Sequence, residues 1–312
     1  MAIQEARVPY LFPEDAQLGT HNVVLYARAS RHRVDNYAGP LSIKTVLSGQ
    51  VAWIVGQREL IVDRSSFLIL SAGEKYSMRI AESKPVETCC VFFAPGFVEQ
   101  VALNATSPLD RALDAPDRLA PPLPYLSALH NDRERALVGR VHTLAPRCKK
   151  ALAPSGFEED FLLLAERLLQ FYAQVREQAA RVPALQESTR QELFRRLLLG
   201  REYLHSHSSG PVSLVTVARA AALSPYHFHR GVTQAFQQTP HSYLTGLRLA
   251  RARTTIQQGS PVLDACLEAG FSSPSAFSRL FRSWYGELPS AVRRKFARSG
   301  KNSNAPSGKL NA

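Results

Sequence analysis

The sequence predicts an α+β chain of two domains. An N-terminal antiparallel β barrel or jelly-roll with flanking helices precedes an all-α C-terminal region built from two helix-turn-helix units. Three observations predict this. Between Asn22 and Phe93, short apolar runs alternate with turn residues, the pattern of an antiparallel sandwich or small barrel. From Val212 onward the apolar residues recur at helical spacing. Within that second region one string occurs twice: Ser224-Pro225-Tyr226-His227-Phe228-His229-Arg230 and, 49 residues later, Ser273-Pro274-Ser275-Ala276-Phe277-Ser278-Arg279.

Charge follows the same division. The 312 residues carry a formal net charge of +12. From Glu187 onward there are 17 Lys/Arg against 6 Asp/Glu, so nearly all the excess lies on the half with the repeat. A basic domain joined to a neutral one points to a polyanion partner, although a basic surface also serves solubility. A hydrophobic content of 45% excludes a disordered chain. Cys89 and Cys90 are adjacent and Cys148 and Cys266 isolated, which makes neither a disulfide framework nor a zinc site. No apolar run reaches membrane-spanning length, and the N-terminus is not of the signal-peptide type. The expectation is a cytoplasmic protein with no membrane partner.

In chain order, residues 1–20 read as an arm. Strands are expected over Val23–Tyr26, Leu41–Leu47, Val51–Val55, Glu59–Val62, Phe67–Leu70, Tyr76–Ile80 and Thr88–Phe93. A barrel of this size is filled by side chains or holds one small ligand. Strand parity turns Thr88, Cys90 and Phe92 inward if Glu87 faces out, and sets Ile43 and Thr45 on a face with Trp53 across a hairpin. These six are the candidate effector pocket, and equally candidate core. Cys89 and Cys90 face opposite ways, which favours burial over a redox pair. The barrel domain is placed at 1–115.

Residues 116–210 read as a helical coupling and dimerisation region. Prolines 116–124 mark a loop, 127–145 a helix, and Pro146 to Gly156 a break. Glu158-Glu159-Asp160 opens the next helix at its positive end. Its apolar stripe is Phe161, Leu164, Leu168, Tyr172 and Val175. Over 158–176 this helix either covers the barrel or pairs with its counterpart in a homodimer. Thr189 is placed as the cap of a further helix to about His205, and residues 206–211 as a joint.

The C-terminal domain is placed at 211–298, with 299–312 a disordered tail. Ser213 caps a helix through Ala221. Ser224 and Ser273 each cap a helix whose first residue is Pro, and a helix over about 241–258 joins the two units. Its length, ~27 Å at ~1.5 Å per residue, suits two reading helices roughly one DNA turn, ~34 Å, apart.

From about Val212 to Arg294 the sequence resembles the DNA-binding domain of the AraC/XylS family of transcription regulators. The residues carrying this are Leu214…Leu223-Ser224-Pro225…Phe228…Arg230…Phe236, then Pro240…Tyr243-Leu244…Arg248-Leu249…Ala252-Arg253. They continue through Gly270-Phe271-Ser272…Phe277-Ser278-Arg279…Phe281…Tyr285-Gly286…Pro289. The strand pattern is similar, more loosely, to that family's cupin-like effector-binding and dimerisation domain. The resemblance implies base contacts from Tyr226, His227, His229 and Arg230 in helix 225–236. In helix 274–285 it implies them from Pro274, Ser275, Ala276, Ser278 and Arg279. Arg suits guanine best, through its fork of donors. Phosphate contacts are expected from Arg248, Arg251, Arg253, Arg282, Arg293 and Arg294. Phe228 and Phe277 read as core anchors.

Three departures stand out: Gly231 inside the first reading helix, Ala222 in a turn where Gly is common, and Ala265-Cys266 in place of Ile-Ala. The implied partners are double-stranded DNA, a small-molecule effector, a second copy of the chain, and RNA polymerase for an activator. Two alternatives are a ligand-blind architectural DNA-binding protein and a cupin enzyme fused to a DNA-binding domain. Against the enzyme, the strands offer Ser42, Lys44 and Thr45 with no His-x-His, and Tyr76 stands where a ligand His would. No catalytic residue, metal or cofactor is expected.

Overall fold

The computed structural model describes residues 10–12, 17–106, 126–130, 136–149 and 157–302. The N-terminal arm, the proline-rich loop and the tail expected from the sequence lie largely outside these residues. The chain divides into two compact units, residues 1–198 and 199–312.

In the first unit the strands are β1 (Tyr10–Phe12), β2 (Val23–Ala38), β3 (Ser42–Ser48), β4 (Gln50–Val55), β5 (Arg58–Asp63), β6 (Phe67–Leu70), β7 (Lys75–Phe92) and β8 (Ala128–His130). They form one antiparallel sheet in the order β1-β2-β7-β3-β6-β8, with β4 joined to β7 and β5 to β4. The sheet rolls into a nearly closed barrel. Trp53, Leu60, Val62, Leu68, Leu70, Cys90 and Phe92 share its core. Helices α1 (Phe97–Thr106), α2 (Ala136–Lys149) and α3 (Phe157–Ala180) accompany it.

Four local expectations change. The runs Tyr76–Ile80 and Thr88–Phe93 belong to one strand of 18 residues, β7, whose polar middle hid its continuity. β3 and β4 are not a hairpin. They lie end to end along β7, with Thr45 opposite Cys89 and Ala52 opposite Arg79. Gly49 makes the corner between them at φ +79, where a Cβ would stand 2.8 Å from Val86 Cγ2. Residues 128–130 pair with β6 instead of opening a helix. Pro146 sits inside the last turn of α2, where one missing donor leaves the preceding turns intact.

The stripe on α3 is buried within the protomer: Phe161, Leu164, Leu168, Tyr172 and Val175 are all covered, and α1 and α2 are its helical neighbours. Asp160 binds Arg140 at 3.2 Å and also Arg147. Helix α4 (Glu187–Ser206) starts two residues before Thr189, so Thr189 lies within its first turn. The boundary between units falls inside this helix, after Leu198, and not in the segment 206–211.

The second unit continues with α5 (Leu214–Ala220), α6 (Pro225–Phe236), α7 (Pro240–Gln257), α8 (Val262–Glu268), α9 (Pro274–Tyr285) and α10 (Pro289–Asn302). Helix α10 thus runs past the expected start of the tail. Leu249, Ala252, Ile256, Cys266, Phe277, Phe281 and Val292 form one core here.

Candidate nucleic-acid interface

Two helix-turn-helix units are present, α5–α6 and α8–α9, and their turns have the same hydrogen bonds. Leu223 N–H donates to Ala218 O and Ala222 N–H to Arg219 O; Phe271 N–H donates to Cys266 O and Gly270 N–H to Leu267 O. Each is a Schellman ending, which needs a left-handed residue just past the helix. Gly270 fills that place at φ +85, Ala222 at φ +51. The turn bonds repeat at an offset of 48 residues and the caps at 49, so the second turn is one residue longer.

The repeated Ser-Pro then starts each second helix. Ser224 Oγ accepts from His227 N–H and Ser273 Oγ from Ala276 N–H, and each Pro occupies the first turn. Phe228 and Phe277 are fully buried. The remaining positions are thereby turned outward. Tyr226 is 66% exposed. His227, His229 and Arg230 are also exposed, as are Pro274, Ser275 and Arg279, while Ala276 and Ser278 are half-buried. His227 Nδ1 lies 2.7 Å from Ser224 Oγ, which fixes the ring at the helix start. Among the described residues, Arg230 and Arg279 have no protein partner.

The six phosphate candidates separate into two groups. Arg282, Arg293 and Arg294 are exposed. Arg248, Arg251 and Arg253 are half-buried on α7 and already engaged. Arg248 donates from Nε to Ser208 O at 2.8 Å and from an Nη to Gly210 O at 2.7 Å. Desolvation pulls its pKa down from the usual value. Arg251 donates to Ser209 Oγ at 2.9 Å. Arg253 lies 3.8 Å from Glu287 and over the Tyr285 ring. These three fasten the domain to itself, because their contacts are main-chain carbonyls and neighbouring side chains that water would otherwise have to satisfy.

Sequence reasoning also missed what holds the first helix-turn-helix unit from behind. Gly200 of α4 abuts the Phe228 ring, and the Arg201 guanidinium covers Phe236 at 4.2 Å and Tyr243 at 4.8 Å.

The proposed effector residues do not share one face. Trp53, Cys90 and Phe92 lie in the barrel core, and Thr88 is on the Cys90 face. Ile43 and Thr45 are in register with Val91 and Cys89 on the opposite face. Cys89 donates from Sγ to Val141 O of α2, so that face is the helix-covered one. Parity failed because β3 and β4 are not a hairpin. The barrel interior instead receives Lys44, whose signal in the sequence was a lone cation within an apolar strand.

A family model described as a helix-turn-helix domain matches residues 217–295. The HTH-type transcriptional regulator YbfI of Bacillus subtilis is 24% identical over 70% of this chain and 71% of its own length. The HTH-type transcriptional activator RhaS of Escherichia coli is 27% identical over 52% of this chain and 65% of its own. An AraC-type regulator structure from Chromobacterium violaceum covers 33% of this chain and 94% of that one, with 27% identity and a TM-score of 0.32. Fatty-acid-bound ToxT of Vibrio cholerae covers 89% and 96%, with 12% identity and a TM-score of 0.34. The family-model match spans both helix-turn-helix units, so residues 217–295 form a helix-turn-helix domain of the AraC type.

Proposed function

We propose that the protein is a sequence-specific, effector-responsive transcription activator that reads two adjacent major-groove segments with α6 and α9. The observation that carries this is the matched pair of capped helices, each with a buried Phe and an unpartnered, exposed Arg on its outer side. An Arg free of protein partners can turn its fork to guanine O6 and N7. The exposed Arg282, Arg293 and Arg294 supply charge for phosphates.

The barrel is the sensing half, and α4, one helix with residues in both units, is the element through which an effector biases the DNA-binding half. The activator sense follows the name of RhaS, and responsiveness to a small molecule follows the fatty acid of the ToxT structure. The protein acts in the cytoplasm. No helix among the described residues is long and apolar enough to cross a membrane. A homodimer through α3 would use Leu162, Leu163 and Leu169, three leucines left uncovered or half-covered there.

Sequencing the DNA fragments that the protein occupies in cells, with transcripts measured in a deletion strain, tests this reading. Discrete sites beside genes whose transcripts fall on deletion support it. Uniform occupancy with no transcript change would indicate an architectural protein instead.

A further inference from the structure

Lys44 lies inside the barrel and is 1% exposed. It is in register with Leu68 on one side and Cys90 on the other. Its Nζ donates to Tyr76 Oη at 3.1 Å and sits 3.5 Å from the centre of the Phe92 ring and 4.8 Å from that of Tyr76. Among the described residues no carboxylate faces it. Two positions away on the same inner face, Ser42 Oγ is buried without a hydrogen-bond partner. Burial brings the Lys44 pKa down from 10.5 to about 7, against a smaller opposing effect of Cys90. Much of the amine is therefore neutral and nucleophilic near neutral pH.

A lone buried amine can meet an anion or an electrophile. The ring faces decide between them. Aromatic faces carry negative potential, so they hold a cation and oppose an incoming carboxylate. A neutral carbonyl compound meets no such opposition. Once condensed, its protonated imine is a cation that the same rings stabilise.

We propose that Lys44 is the attachment point for a small aldehyde or ketone, held as a reversible imine inside the barrel. The Nζ lone pair bonds to the carbonyl carbon, and the C=O π pair moves to oxygen, which takes a proton from Tyr76 Oη. The nitrogen returns a proton to Tyr76, whose Oη then protonates the hydroxyl. This leaves as water while the nitrogen lone pair forms the C=N bond, and the Tyr76 phenolate recovers a proton from solvent, leaving the protonated imine. Ser42 Oγ is free to hold the carbonyl oxygen. A hollow of about 350 Å³ lined by Tyr37, Gly39, Leu41, Gly73 and Phe93 offers the entry. Tyr37 lines this hollow and stands edge-on at 5.7 Å to Tyr76, the partner of Nζ, so entry requires these two rings to move.

This inference rests on the barrel being the sensing half. The test treats the full-length protein at pH 7 with benzaldehyde, salicylaldehyde or glyceraldehyde and sodium cyanoborohydride, then maps modified lysines by mass spectrometry. Lys44 is expected to label about tenfold faster than the exposed Lys75 and Lys84. Tyr76→Phe should slow labelling, and urea should abolish the preference. Labelling of Lys44 no faster than Lys75 in the folded protein, with all three aldehydes, overturns the proposal. DNA binding of the same untreated sample is measured in parallel, so failure here is separable from failure of the regulator reading.

Discussion

Gly200 lies against the ring of Phe228 so closely that a methyl group on its Cα would overlap the ring. Phe228 is the buried anchor of α6, so a glycine 28 residues upstream sets how that helix is seated. Gly200→Ala would raise helix propensity by ~1 kcal/mol. Overpacking against a fixed ring costs ~1–3 kcal/mol. The net expectation is a loss of stability confined to the second unit, with weaker DNA binding. Thermal unfolding of residues 199–312 within the full chain checks it, and an unchanged or raised transition would show that the ring has room to move.

The two Schellman turns make a reciprocal pair. Ala222→Gly should stabilise the first helix-turn-helix unit by ~1 kcal/mol, since Ala at positive φ costs ~1–2 kcal/mol. Gly270→Ala should be destabilising beyond that, because its Cβ would stand 2.8 Å from Ser209 O. Urea denaturation of the two variants gives opposite signs if the turns are as described.

Salt dependence distinguishes phosphate arginines from fastening ones. Replacing Arg293 or Arg294 by Ala should reduce the slope of log affinity against log salt by ~1 and leave stability unchanged. Arg248→Ala should instead lower stability, because Ser208 O and Gly210 O lose their donor. Binding titrations at several salt concentrations, paired with melting curves, read both effects.

The pH dependence of the barrel follows from Lys44. Its pKa is about 7 when folded and near 10.5 when unfolded. Between those values the unfolded chain binds more protons, so stability rises with pH across the window. The penalty is complete below about pH 7 and relieved as pH approaches 10. Cys90 and Tyr76, the groups facing it, have pKa values raised by burial and remain neutral through most of this range. Lys44→Met should therefore raise the melting temperature most at pH 6 and least at pH 10. A gain independent of pH would contradict a titrating Lys44.

Much of the second unit was legible because its chemistry is local. Ser caps, Pro at the first turn and Phe at a buried position depend on neighbours within one helix, and Ser224, Ser273, Phe228 and Phe277 do what their spacing indicated. What depended on distant pairing was not legible. Ile43 and Thr45 were set on the wrong face because the partner of β3 is β7, more than 40 residues away, and not β4. Arg248 reads as a phosphate contact in the sequence; only the return of residues 208–210 across α7 gives it main-chain partners. Gly200 carried no signal of its own, since the ring it accommodates is on another helix.

The most direct test of the central claim is selection of binding sites from random duplex DNA. The wild-type protein is expected to select two preferred segments about one helical turn apart. Arg230→Ala should lose preference within one segment and Arg279→Ala within the other, each at ~1–3 kcal/mol per base contact. Recovery of the same full motif by both variants would contradict the assignment of α6 and α9 as the reading helices.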